Sequence, residues 1–179
     1  MGGLISNAVR RLGDALQLVD YAALRAYAGA RASVYVTGYL VTKEATGIAG
    51  MFVRDDGDAA TVDNGGTVIV AANGKRWKRQ FDDAVQVDWF EGADRTGGAD
   101  STAAIQGALN ASRDVILSEG VYLFSALTVK RNTRLRGASM RSSVLKHTGA
   151  AAAIVCADDA VDEIDGRGVY VDNGGFVFE

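Results

Sequence analysis

Apolar residues at Ile5, Val9, Leu12, Leu16 and Val19 follow one another at spacings of 4, 3, 4 and 3. That is the seam of a coiled coil, which needs partner helices. An amphipathic helix lying on its own domain has the same pattern. Gly13 inside the run costs about 1 kcal/mol against Ala, and so short a helix is marginal alone in water. Residues 1–20 are therefore expected to form a helical anchor held by something else. Asp20 is placed to cap a second short pattern, YAALRAY at 21–27, which Gly29 ends.

The period then drops to that of strands. Val34-Tyr35-Val36-Thr37, Gly50-Met51-Phe52-Val53-Arg54, Thr67-Val68-Ile69-Val70 and Lys75-Arg76-Trp77-Lys78-Arg79 are strand-like, with turn signals at Asp55-Asp56-Gly57-Asp58 and Asn64-Gly65-Gly66. Asn73-Gly74 between two such runs predicts a tight hairpin with positive φ at both central residues. With the short helix, this makes a small antiparallel β domain of residues 21–82.

Residues 83–112 are a connector. DAVQVDWF looks like a joining strand, and FEGADRTGGADSTAAIQGAL follows it. Its acids and glycines fit a metal or phosphate loop, or a plain junction. Asp100 or Ser101 caps a helix from about Thr102 to Ala111, whose apolar face is Ala104, Ile105, Ala108 and Leu109. That face is suited to cover the open end of a stack of strands.

From residue 113 to 179 the strands are short and closely spaced, with Gly, Asn and Ser turns. This rhythm predicts a solenoid of stacked coils, with a sandwich as second choice. A solenoid needs about three repeats and a cap, so the chain is expected to be the N-terminal part of a longer protein.

Composition narrows the function. The 179 residues carry a net charge of −3, which gives no overall pull toward nucleic acid. Proline is absent, where roughly nine would be usual, so turns rest on Gly, Asn and Asp. Cys156 is the only cysteine, so no internal disulfide forms. No apolar run reaches a membrane-spanning length, and the N-terminus lacks the apolar core of a signal peptide. Synthesis in a cytoplasm is expected.

Candidate chemistry is thin. Asp158, Asp159, Asp162, Glu163 and Asp165 are the acid cluster of the solenoid part. They are either an early piece of a sugar cleft, where two carboxylates flank a glycosidic bond, or a solvated loop, the favoured reading. No catalytic residue is assigned. Lys75, Arg76, Lys78 and Arg79 alternate along a strand and split between its faces, so they form no nucleic-acid patch. Trp77 among them is expected at an inter-subunit or scaffold contact. His147 has no second His or Cys pair beside it in sequence, Cys156 reads as a buried small apolar residue, and Asp55-Asp56-Gly57-Asp58 lacks the spacing of a calcium loop. No metal or cofactor is expected.

The order of these pieces resembles a known family. Tyr21-x-x-Leu24-Arg25, Val34-Tyr35-Val36, Gly47-Ile48-Ala49-Gly50-x-Phe52-Val53, Asp63-Asn64-Gly65-Gly66-Thr67 and Gly74-Lys75-Arg76-Trp77-Lys78-Arg79 are similar to the N-terminal module of bacteriophage tailspike proteins. Val87-x-Trp89-Phe90, Thr102-Ala103-Ala104-Ile105-Gln106, Gly120-Val121-Tyr122 and Leu135-Arg136-Gly137 resemble the start of that family's right-handed, pectate-lyase-like parallel β-helix. Glu91 and Ser101 depart from the pattern.

The resemblance spans about residues 20–150. It implies a homotrimer in the virion tail, joined to a tail or adaptor protein or to another tailspike. It also implies a β-helix that binds and degrades bacterial surface polysaccharide by hydrolysis or lyase chemistry. On this reading Ile5, Val9, Leu12, Leu16 and Val19 meet around a threefold axis. The alternatives are a polysaccharide-degrading enzyme with its cleft inside the chain, and a bacterial pectate-lyase-like enzyme with a fused module. The absence of a signal peptide weighs against the last.

Overall fold

The computed structural model describes residues 16–38, 48–130, 132–139, 141–150, 154–156, 169–172 and 175–178, of which 156, 169–172 and 175–178 are described by their backbone. The chain is mainly β and divides into two units. One comprises Met1–Asp63 and Val68–Gln80, the other Asn64–Thr67 and Phe81–Glu179.

The first unit contains β1 (Leu16–Leu18), α1 (Tyr21–Ala26), β2 (Ser33–Val36), β3 (Gly50–Asp55), β4 (Val68–Val70) and β5 (Arg76–Arg79). They form one sheet in the order β1-β2-β3-β5-β4. β2 to β5 pair antiparallel, as the alternating pattern predicts, and β1 runs parallel to β2. Asp20 caps α1 by accepting the Ala23 N–H at 2.7 Å.

Leu16–Leu18 corrects the helical reading of residues 1–20 at its C-terminal end. The cause is non-local. Leu16, Gln17 and Leu18 pair in register with Val34, Tyr35 and Val36, which places Leu16 and Leu18 against the core of their own unit. Leu16 is thus taken up in that packing, while Val19 is 55% exposed. Ile5, Val9 and Leu12 lie outside the described residues.

The β4–β5 hairpin lies where Asn73-Gly74 predicts it, with a different turn. Gly74 N–H donates to Ala71 O at 2.8 Å, Ala71 N–H donates to Lys75 O at 2.9 Å, and Gly74 alone takes a positive φ, +80°. This is a three-residue loop closed by a glycine bulge rather than a two-residue turn.

Tyr21 and Leu24 of α1 close over Val34, Val36, Phe52, Ile69, Ala71 and Trp77. Trp77 is 1% exposed, with its indole edge-on to Tyr27 at 5.7 Å. The expectation of Trp77 at an inter-subunit contact is therefore corrected. Alternation predicts that Trp77 and Arg79 share a face, and that face is the covered one.

Among its described residues the second unit carries three parallel ladders. The first stacks β6 (Val85–Gln86), β8 (Asp114–Leu117), β11 (Thr133–Gly137) and β14 (Val169–Asp172). The second stacks β7 (Thr96–Asp100), β9 (Gly120–Phe124), β12 (Ser143–His147) and β15 (Gly175–Phe178). The third pairs β10 (Leu127–Val129) with β13 (Ile154–Cys156). The chain visits the ladders in rotation, and α2 (Thr102–Ala111) follows β7 where the first circuit would meet the third ladder. The joining strand expected over 83–90 is only Val85–Gln86, followed by a 3-10 turn at Val87–Trp89.

Register stacks like on like inside the unit. Val85, Val115 and Leu135 form one column, Tyr122 lies beside Leu145, and Leu127 beside Ile154. With Phe90, Phe124, Val129 and the buried face of α2 they make a continuous core. Each buried aliphatic side chain contributes about 1.5–3 kcal/mol relative to exposure.

Candidate functional site

The loop from Phe90 into α2 is the stretch that sequence marks for chemistry, and its polar groups are spent on each other. The Asp94 carboxylate accepts the Thr96 N–H (2.7 Å) and hydroxyl (2.6 Å) through Oδ1, and the Gly98 (3.0 Å) and Ala99 (2.6 Å) N–H groups through Oδ2. The Thr96 hydroxyl above all, then these backbone donors, holds the Asp94 carboxyl below the usual carboxylate range. N–H groups that would cradle a phosphate are thus occupied by the loop's own anion. Among the described residues no group of three His, Cys, Asp or Glu could hold a metal.

The two candidate caps divide the work. Asp100 accepts the Thr102 N–H and the Thr102 hydroxyl, each at 3.0 Å. Ser101 is fully buried, and its hydroxyl accepts the Asp94 N–H at 2.9 Å and donates to Asp94 O at 3.0 Å. Ser101 therefore closes the loop, and Asp100 satisfies the open helix N-terminus. Ala104, Ile105, Ala108 and Leu109 are all buried in the core of the second unit.

Two features carry no local signal. The ring of Phe90 lies close against two glycines: a Cβ added at Gly66 would approach its Cδ1 to 2.5 Å and one at Gly107 to 2.8 Å. Glu91 N–H donates to Gly65 O at 2.8 Å beside it, so Asn64–Thr67 belongs to this site. The second feature is a polar strip on α2. Thr102, Gln106 and Asn110 recur every four residues and meet the backbone and side chains of residues 125–130. Spacing of i, i+4 and i+8 is the only trace of it in sequence.

Elsewhere, polar residues that sequence singles out are tied into the fold. Lys78 reaches Asp55 at 2.7 Å and Asp58 at 2.9 Å, and Lys75 reaches Asp56 at 2.8 Å. Hydrogen bonding to Asp55 and then Asp58 raises the Lys78 pKa. Arg79 donates to the Tyr21 hydroxyl at 2.6 Å and to the carbonyls of Ala49 and Ile48, and its guanidinium lies 4.8 Å from the centre of the Phe52 ring. Burial lowers its pKa, but a guanidinium stays charged. The basic strand thus faces partners within its own chain.

His147 is buried, tilted against Phe124 at 5.3 Å, with Nε2 at 2.7 Å from Ser125 O. Tyr122 donates to Asp88 Oδ1 at 2.7 Å, and burial, helped by that bond, raises its pKa. The acids from Asp158 to Asp165 lie outside the described residues, as does the side chain of Cys156.

Residues 17–82 match the family described as the phage tail protein small four-stranded beta-sheet domain. In this chain that span holds the five-stranded sheet, with β2 to β5 antiparallel and β1 parallel to β2. The fold is similar to full-length tailspike protein 2 from Escherichia coli O157:H7 bacteriophage CAB120, with a TM-score of 0.67 and 22% identity over 98% of this chain and 23% of that one. It is also similar to the tailspike protein of Acinetobacter phage vB_ApiP_P1 (TM-score 0.64, 20% identity, 91% of this chain and 29% of that one). A third likeness is to tailspike gp49 of Acinetobacter baumannii bacteriophage Fri1, described as a capsular polysaccharide depolymerase. It has a TM-score of 0.57 and 15% identity over 92% of this chain and 40% of that one. The chain thus spans between 23% and 40% of the length of these relatives. The domain match is confined to residues 17–82, and the likeness to these tailspikes is one of fold.

Proposed function

We propose that the chain is the part of a phage tailspike that trimerises and attaches the spike to the virion tail. Its first unit is the attachment domain, and its second unit is the opening of a right-handed parallel β-helix capped by α2. The observation that carries this reading is the phage tail domain match over residues 17–82, followed in the same chain by ladders that the sequence visits in rotation. In the full spike, the longer β-helix binds and degrades a host surface polysaccharide. The depolymerase description of the Fri1 relative supports that step.

The described residues perform mechanical tasks here. Lys75, Lys78 and Arg79 are engaged within the chain, and Asp94, Ser101 and Asp100 tie the loop and helix together. Mixing the chain with phage particles assembled without their spike tests attachment. Co-sedimentation is expected, and a folded chain left in the supernatant overturns it. Light scattering is expected to give a trimer mass, and a monomer overturns that part. Release of oligosaccharides from host polysaccharide by this chain alone would favour the enzyme reading instead.

A further inference from the structure

The contact between α2 and β10 is more than apolar packing. β10 pairs with β13 along one edge. On its other side, Thr128 N–H donates to Gln106 Oε1 and Gln106 Nε2 donates to Thr128 O, both at 2.8 Å. One residue exchanging an N–H and a C=O bond with its neighbour is what an adjacent strand would provide. Gln106 Nε2 also donates to Asn110 Oδ1 at 3.0 Å, which holds the amide in place. Before it, Thr102 Oγ1 accepts the Ser125 N–H at 2.8 Å, and after it Lys130 Nζ donates to Asn110 O at 3.2 Å.

We infer that the strip Thr102, Gln106 and Asn110 acts as a strand surrogate that shuts the edge of β10, and that β10 beneath it is a latent acceptor for an extended segment of a second copy. An unpaired edge is a template for strand addition. The chain itself carries a segment suited to pair with Leu127–Val129, because Ile154–Cys156 already does so in parallel register. A copy offering such a segment would join head to tail. That contact does not close on itself and grows into open assemblies. Gln106 is thus assigned the task of ending the third ladder at its N-terminal side.

Gln106→Leu tests both halves. Amide exchange at Thr128 is expected to quicken about tenfold, the scale of one lost hydrogen bond. Exchange at Ser125, whose partner is Thr102, stays unchanged. Chromatography with light scattering is expected to show species larger than the wild-type assembly, in amounts that rise with concentration. Unchanged exchange at Thr128 overturns the surrogate, and faster exchange without larger species overturns the latent acceptor. Gln106→Glu is the second variant, keeping an acceptor for the Thr128 N–H while setting a carboxylate against the Thr128 carbonyl. Thr128 protection is expected to persist in it, and equal loss of protection in both variants refutes the pairing.

Discussion

Phe90 is the place to perturb the second unit, because its buried ring packs close against two glycines. It is 2% exposed, and both Gly66 and Gly107 lie close against its Cδ1 and Cε1 atoms. Gly107 lies within α2, so Gly107→Ala has two opposing effects. Ala in a helix interior is favoured over Gly by about 1 kcal/mol. The new methyl, however, would lie 2.8 Å from a buried ring that also packs close against Gly66. Overpacking of this kind costs about 1–3 kcal/mol. The overlap is expected to win or draw, leaving the second unit less stable by about 0–2 kcal/mol.

Phe90→Leu removes the ring from the overlap. In that background the propensity gain remains, and Gly107→Ala is expected to stabilise by up to about 1 kcal/mol. The assay is urea unfolding followed by hydrogen exchange of the α2 amides, which reports on the second unit by itself. The double-mutant cycle isolates the coupling between positions 90 and 107. If Gly107→Ala stabilises the unaltered chain, or destabilises both backgrounds equally, the wedged ring is wrong.

Other outcomes test the remaining polar contacts. The folded-state pKa of Asp94 is depressed, so its contribution is present above the unfolded carboxylate value, about 3.9, and is lost as pH falls through the folded one. Asp94→Asn is expected to flatten that acid loss, and thermal melts from pH 7 downward with unchanged acid dependence would contradict it. Tyr122→Phe leaves the half-buried Asp88 without its donor and is expected to cost about 1–3 kcal/mol by chemical denaturation; a neutral result refutes the bond's importance. Asp63 accepts both Arg25 Nε and Nη2 and the Val70 N–H, each at 2.9 Å. Asp63→Ala is expected to cost about 1–3 kcal/mol, mainly through the stranded Val70 N–H, and faster exchange at that amide is the check.

What the sequence by itself determined was local. Period-two alternation located β2 to β5, and the helical spacing of Ala104, Ile105, Ala108 and Leu109 marked the buried side of α2. Asn73-Gly74 located a hairpin, because few other residues tolerate such a turn. Motif order pointed to tailspikes. These signals are legible because each depends on backbone preferences and side-chain period within a few residues.

Tertiary structure decided the rest. Leu16–Leu18 became a strand because β2 offered a ladder, which a helix-like spacing does not reveal. Alternation puts Trp77 and Arg79 on one face but is silent about which face α1 covers. Asp94 turned inward, Gly66 met Phe90, and Gln106 met Thr128 through pairings that span 5 to 24 positions of chain. No local propensity encodes such distant partners. The Gln106 contact forms only once β10 is in place, and it satisfies the N–H and carbonyl of Thr128, which need partners.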